Sequence, residues 1–393
     1  MRPLHVFPKH RDDWRLDLVG LLTVIGEAST GIHAQVITVS RMCLLPRLLP
    51  APHALLKSSR RRDLPSVPAT VAGVFSGNVQ HSLNYFANLI HQVDALEQRS
   101  VTVLRVGENV PTPEPTVTIA VRQLAPLQVL GIIGCLFSIF LLVEAIWLGD
   151  GVALIVVLLL SATSMFVGLG HLWTVKLAER GSQRNVPPGD VVIRGRQGAF
   201  LIVHCVEDVA RALYFGKEEC VYKVSENTFR VLTGVATVFL MTSIVFLTNC
   251  IWELQATFGL AYIILNGLYW VASLIPLKWH WDLTPFRVTP IQHFHEKNYT
   301  RTLWRAIQQS GSADWVRKSD AAPHHHAWDA WLEEAGDNIH NSEWDPNEAL
   351  DRWLTYFDGD RKSFNQSSLQ TLPVSPSPSS ASASEQKPFK STD

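Results

Sequence analysis

The sequence predicts a membrane protein with an all-α core, four transmembrane helices in two antiparallel hairpins, carrying a small cytosolic α+β part and a helical C-terminal region. Three observations lead there. Four stretches of the 393-residue chain are long, apolar and nearly free of charge. Each pair of stretches is joined by only a few residues. Lys and Arg are missing from those two short joints but flank the spans elsewhere.

Residues 1–125 form the first region, on the cytosolic side. Its opening, "MRPLHVFPKHRDDWRLD", has no long apolar core and carries Asp12, Asp13 and Asp17, which fits neither a cleaved signal nor a transit peptide. In residues 16–40 an apolar run is broken by Glu27, His33 and Gln35, the pattern of an interfacial or domain helix, with a segment that dips into the bilayer as the alternative. "VFSGNVQHSLNYFANLIHQVDALEQ" repeats apolar residues at Phe75, Val79, Phe86, Ile90 and Val93 and predicts an amphipathic helix. "VTVLRV" and "TVTIAVRQL", separated by the proline-punctuated "GENVPTPEP", predict a short β-hairpin.

Residues 126–175 are the first transmembrane hairpin. Between Gln128 and Leu148 the one charge is Glu144, and Gly151 to Val175 has none; each is long enough for a hydrocarbon core of about 30 Å. Residues 229–277 are the second: Val231 to Trp252 and Leu254 to Leu277 are uncharged. The joints "LGDG" and "ELQ" are too short for anything but antiparallel neighbours. Asp150 and Glu253 lie in the joints, whereas Arg122, Lys176, Arg180, Arg184, Arg230, Lys278 and Arg287 lie on the other flanks. The positive-inside rule then puts both termini and the middle loop in the cytosol, of the plasma membrane or an endomembrane. Trp147 and Trp252 fall at the outer interface, and Trp173, Trp279 and Trp281 at the inner one, as aromatic belts do.

The middle loop, residues 176–228, reads as α+β. "DVVIRGRQGAFLIVHCV" suggests two strands around Gly195 to Gly198, "EDVARALYFG" a helix and "ECVYKV" another strand. Together with the upstream hairpin this gives five short strands for one sheet. Residues 278–358 read as a Trp-rich helical region, in which "DPNEALDRWLTYF" opens with Asp345 as cap and Pro346 at the first helical position. Residues 359–393, ending "VSPSPSSASASEQKPFKSTD", are too polar to fold and predict a disordered tail.

Two places attract attention as sites. Glu144 and Asn249 are polar residues in the spans, each three positions before a tryptophan, and intramembrane ionisable groups often mark ion or proton paths. Their position near the outer end of a helix equally suits a contact between helices. Gly134 with Ser138, and Ser164 with Gly168, have the small-xxx-small spacing that lets helices approach. The second place is "APHHH": His324, His325 and His326 are the weak metal candidates. Successive helical residues diverge by about 100 degrees, so all three cannot hold one zinc ion, and the run reads instead as a helix start near Pro323.

"HCVED" has the HxxxD spacing of some acyltransferases but lacks the glycine that usually follows. The HxxxH and HxxHH boxes of di-iron desaturases and a Gly-rich phosphate loop are absent, so no cofactor and no catalytic residue is assigned. A net charge of −1 and scattered basic residues exclude a nucleic-acid footprint, and Cys43, Cys135, Cys205, Cys220 and Cys250 form no CxxC pair.

"DVVIRGRQGAFLIVHCVEDVARALYF", "ILNGLYWVASLIPLKWHWDL" and "DWVRKSDAAPHHHAWDAWLEEA" together resemble an uncharacterised family of integral membrane proteins of filamentous fungi, over about Val191 to Ala335. The resemblance implies four spans around a cytosolic loop and a helical C-terminal region. It carries no activity and no functional residue. The expected function is that of a non-enzymatic membrane scaffold or docking component, in contact with the lipid bilayer and with cytosolic proteins or a second copy. The alternative is a transporter or channel subunit using Glu144 and Asn249, and the third reading is a membrane-embedded enzyme.

Overall fold

The computed structural model describes residues 36–49, 51–57, 60–108, 119–122, 124–178 and 188–370, with 359–370 by backbone alone. Most of residues 16–40 and the tail beyond 370 therefore lie outside the described residues. The chain divides into two compact units, Met1–Ala321 and Ala322–Asp393.

The first unit runs α1 (Pro52–Leu55), β1 (Val67–Gly73), β2 (Val79–Leu83), α2 (Tyr85–His91), β3 (Ser100–Glu108), α3 (Pro126–Leu148), α4 (Gly151–His171) and β4 (Trp173–Lys176). It continues with β5 (Val191–Arg194), β6 (Phe200–His204), α5 (Glu207–Ala210), β7 (Glu219–Tyr222), α6 (Glu226–Leu247), α7 (Trp252–Ser273), β8 (Phe286–His295), α8 (Tyr299–Ser310) and α9 (Asp314–Lys318). The second unit holds α10 (His326–Asp337) and α11 (Pro346–Gln370).

Helices α3, α4, α6 and α7 are long and apolar enough to cross a membrane. Their ends are set by local chemistry. Pro126 opens α3, and Gly149 closes it at φ 70°, a left-handed conformation that costs glycine little. Asp150 caps α4 by accepting from the Val152 and Ala153 amides, and Ser225 caps α6 through the Thr228 amide. The second Asp150 oxygen accepts from the Ile251 amide at 2.9 Å, tying the α3–α4 joint to the α6–α7 joint. The most extensive helix contact is between α4 and α6, one helix from each sequence pair, and α3 lies against both α4 and α7. Leu136, Ile139, Phe140 and Val143 of α3 face outward, as do Val231, Val238, Met241 and Val245 of α6. In water such faces would be a large liability.

Six strands form one sheet in the order β2-β1-β5-β6-β3-β8, in which only β3 and β6 run parallel. Strands β5 and β6 are buried along nearly their whole length, as expected of strands covered on both faces. Helix α8 packs on β6 and β3 from one side, with Phe200 against the Tyr299 and Trp315 rings. On the other, Val191, Ile193, Leu201 and Val203 join an apolar core that runs through Leu213, Tyr214, Trp173 and Trp281 to Leu127, Leu130 and Tyr269 of the apolar helices.

Several expectations need correction. The amphipathic helix over residues 74–98 is confined to Tyr85–His91, because Val79–Leu83 is drawn into a hairpin with β1 around Gly77 at φ 70°. That is the β-hairpin among the described residues of the N-terminal region; residues 109–118 and 123 of the one expected between 101–106 and 116–124 lie outside them. Both edges of β3 are taken by β6 and β8, and Val121 bridges Trp281 instead. "ECVYKV" does not join the large sheet: β7 pairs with β4 in a separate ribbon. In the region read as helical, Phe286–His295 is a long, exposed edge strand. Trp173 and Trp281 are fully buried with ring centroids 6.3 Å apart, so they are core residues and not an aromatic belt. The last helix passes Gly359, where folding was expected to stop, and reaches Gln370.

Candidate functional site

Glu144 and Asn249 are not brought together. Glu144 Oε1 accepts from Thr257 Oγ1 of α7 at 3.1 Å, while its Oε2 is enclosed without a hydrogen-bond partner. Asn249 donates to its own helix, Nδ2 to the Val245 carbonyl at 3.0 Å, and is exposed. One ties α3 to α7; the other finishes a helix end.

The three histidines are all exposed. His325 is the N-cap of α10, its Nδ1 accepting from the Ala327 amide at 3.1 Å, and both His325 and His326 lie beside the Phe357 ring. Among the described residues no group of His, Cys, Asp or Glu has the geometry of a metal site. The same unit explains its tryptophans. Glu334 accepts from the Trp344 indole at 2.9 Å, from Arg352 at 2.6 Å and from the Trp353 indole at 2.7 Å, while Trp331 donates to the Pro346 carbonyl. Burial opposes the Glu334 charge, but these three donors outweigh it and hold the carboxyl below its ordinary range. The indoles are thus engaged within the unit.

In "HCVED", His204 pairs through Nδ1 with Asp190 at 2.8 Å and not with Asp208; the second Asp190 oxygen accepts from the Cys205 amide. Nearby, His91 Nε2 and the Tyr214 hydroxyl share a hydrogen bond of 2.7 Å between buried rings. Burial lowers the His91 pKa to about 4, leaving it neutral. Glu218, also buried, accepts from the Tyr85 and Phe86 amides and so caps α2. Burial raises it to about 7 against those two hydrogen bonds. These groups bind the sheet to its covering turns.

The concentration of polar chemistry in the apolar bundle lies elsewhere. The segment from Val36 to Lys57 enters between α3 and α4, turns, and comes back. At the start, Gln128 Nε2 donates to the Val36 carbonyl at 3.5 Å and the Trp173 indole donates to Thr38 at 3.1 Å. Deeper, Cys43 Sγ donates to the Gly168 carbonyl, Ser164 Oγ donates to the Leu45 carbonyl at 3.1 Å, and the Leu48 amide donates to the Gly134 carbonyl at 3.3 Å. Gly134 is about 12 Å along α3 from Pro126 at 1.5 Å per residue. On the way back His171 Nε2, at the end of α4, donates to the Leu55 carbonyl at 2.7 Å. Arg60 then locks the exit: it donates to the Gly170 and Val224 carbonyls and to Glu226, between the Tyr222 and Phe229 rings. Backbone that is not helical can lie at such depth only where protein surrounds it, and here the neighbouring helices supply its partners.

The small-xxx-small pairs serve this segment. A Cβ on Gly168 would lie 2.1 Å from the Cys43 carbonyl oxygen, and one on Gly134 would lie 3.0 Å from that of Leu48. Between those contacts sits Arg47, 2% exposed. Its Nη1 rests against Gly131, where an added Cβ would be 2.3 Å away. Its Nε is enclosed with no partner, and no described residue forms an ion pair or hydrogen bond with the guanidinium. The sequence held a signal for this. "CLLPRLLPAPHALL" is an apolar run too short to span and broken by prolines, the pattern of a re-entrant or interfacial segment.

No family model, no curated protein and no solved structure gives a match to this chain.

Proposed function

We propose that this chain is a multi-pass integral membrane protein with a scaffolding, non-enzymatic role. Its four apolar helices form two antiparallel hairpins with both termini in the cytosol, and they hold the six-stranded α+β part at the cytosolic face for a protein partner. The kinship with fungal membrane proteins belongs to the same proposal. The observation that carries it is the filling of the bundle. The space between α3 and α4 is occupied by the chain's own backbone from Cys43 to Leu48, fixed to both helices. A fixed plug suits an anchor better than a conduit, which needs polar side chains at successive depths. The Glu144 bond to Thr257 fits the same view, as a contact between helices.

Two measurements test this reading. Ion and proton flux in proteoliposomes should stay at the level of protein-free vesicles, for both native protein and Glu144→Gln. Flux that disappears in Glu144→Gln at normal abundance would replace scaffolding by transport. Cysteines placed beside Asp150 and Glu253 should react with an impermeant reagent from the outside, and cysteines in "RGRQG" should not; labelling of that loop from outside would reverse the orientation.

A further inference from the structure

A cleft of 440 Å³ opens on the six-stranded sheet, lined by Thr70 of β1, His81 of β2, Arg194 at the end of β5, Arg196 and Gly198 of the turn that follows, and Tyr299 at the start of α8. Its volume falls within the range of small-molecule sites, about 300–1,000 Å³. Pairing decides which way it faces. Thr70 stands opposite Arg194 and Arg194 opposite Phe200, so the three share one face of the sheet, the face that α8 covers through the Tyr299 ring. Val71, Ile193 and Leu201 point the other way, into the core shared with the apolar helices. The cleft therefore opens away from the bundle. Its rim is shaped by a β-bulge: between the Pro68–Ser82 and Val71–Gln80 pairs, Ala69 and Thr70 together oppose His81 alone. Such bulges bend a strand and re-aim its side chains. Two of the lining groups are already fixed. Arg194 Nη1 donates to the Asp320 carbonyl at 2.6 Å, and the Tyr299 hydroxyl donates to the Ala321 carbonyl, so little ordering remains to oppose binding.

We propose that this cleft binds a small soluble molecule through its phosphate group. Arg194 and Arg196 bring two permanent cations to one concave surface, His81 adds a ring nitrogen, Thr70 adds a hydroxyl, and no Asp or Glu lines the space. The planar fork of a guanidinium matches two phosphate oxygens in parallel hydrogen bonds, the geometry for which arginine is selected over lysine. Glycine in the turn leaves room for the rest of the ligand. Gly198 holds φ 69°, and a Cβ there would press against the Tyr299 ring at 3.2 Å. A lipid headgroup carries the same chemistry, but the cleft lies on the face of the sheet turned from the apolar helices, which favours a soluble source. The site is separate from the bundle, so it stands whether the helices form an anchor or a conduit.

The test is isothermal titration calorimetry of the full-length protein in phosphatidylcholine nanodiscs, with pyrophosphate as the probe and sodium chloride of equal ionic strength as the blank. Saturable binding is expected. It should weaken about tenfold in Arg196→Gln, which removes one set of charge-assisted hydrogen bonds, and measurably in His81→Gln; both side chains are exposed, so both variants should fold. Arg287→Gln removes the same charge from β8, at the far edge of the sheet, and should bind as the native protein does. No saturable binding, undiminished binding in Arg196→Gln, or equal weakening in Arg287→Gln overturns the proposal. The lipid source is tested by repeating the titration in nanodiscs containing phosphatidylinositol 4-phosphate, against nanodiscs matched in surface charge with phosphatidylserine. Equal pyrophosphate affinity in the two supports a soluble ligand. A selective loss with the phosphoinositide would show its headgroup in the cleft, and would overturn the assignment to a soluble molecule.

Discussion

Alanine at Gly168 tests the inserted segment through its tightest contact. The added Cβ would lie 2.1 Å from the Cys43 carbonyl oxygen and 2.7 Å from its carbon. Both are backbone atoms, so the segment must retreat by about an ångström, straining the Cys43 bond to Gly168 and the Ser164 bond to Leu45. Overpacking of this kind costs about 1–3 kcal/mol. The higher helix propensity of alanine returns about 1 kcal/mol, leaving a net loss of up to about 2 kcal/mol, and a difference of about 1–3 kcal/mol from a site where propensity acts alone. For a chain of 393 residues a loss of about 2 kcal/mol corresponds to a fall in Tm of about 2–3 °C. The control is Gly267→Ala on α7, where a Cβ meets nothing within 4 Å; propensity acts alone there, and stability should hold or rise. Thermal unfolding of both variants in the same detergent provides the comparison. Equal stability of the two would refute the reasoning, because only the inserted segment distinguishes them.

Other outcomes follow from single groups. Glu218 and His91 oppose each other in pH dependence. Glu218 is raised from 4.5 to about 7, so the folded state holds its proton where the unfolded chain has lost it, and stability falls as pH rises through that window. His91 is lowered from 6.5 to about 4, so the unfolded chain takes up a proton first, and stability falls as pH drops through 6.5 toward 4. Each effect is about 3 kcal/mol at most, and their opposition should leave native Tm nearly flat between about pH 4.5 and 6.5. Glu218→Gln should then become acid-labile and His91→Gln labile toward neutral pH; parallel profiles for all three proteins would exclude this assignment. Glu144→Gln keeps an acceptor for Thr257 and puts an amide at the enclosed Oε2, so membrane abundance should be unchanged or higher, as quantified by immunoblot. Glu334→Ala removes the common acceptor of Trp344, Trp353 and Arg352. The second unit should lose about 2–3 kcal/mol, read as faster proteolysis between α10 and α11.

The parts legible in the sequence are those decided by local chemistry. Four apolar runs, charged only at Glu144, identify themselves by length, and Asp150, Pro126 and Pro346 mark helix starts wherever the chain goes next. The strands around Gly198 were also readable, because nearly every position from Val191 to Ile193 and from Phe200 to Val203 is apolar and buried. Pairing was not readable. Val79 to Leu83 fits a helical stripe as well as a strand, and only the presence of β1 beside it decides. Phe286 to His295 is polar, exposed and interrupted by Pro290, so its strand character comes from β3 alone. The inserted segment was hidden for a related reason. Small residues on α3 and α4 announce a close approach, yet they do not say whether the visitor is a helix or an irregular backbone. Arg47 then looks like an interruption of an apolar run, and acquires meaning only once Gly131 and Gly134 are seen against it.

The central claim, that residues 43–48 lie between α3 and α4, is tested most directly by a disulfide cross-link. Leu45→Cys is combined with Ser164→Cys in a chain whose native cysteines are replaced by serine, and membranes are oxidised before mass spectrometry of the digest. The Ser164 hydroxyl lies 3.1 Å from the Leu45 carbonyl, so the account predicts a linked peptide in high yield, and little linkage when Leu45→Cys is paired instead with Leu158→Cys on the exposed face of α4. Equal linkage in the two pairs, or none in the first, would contradict it.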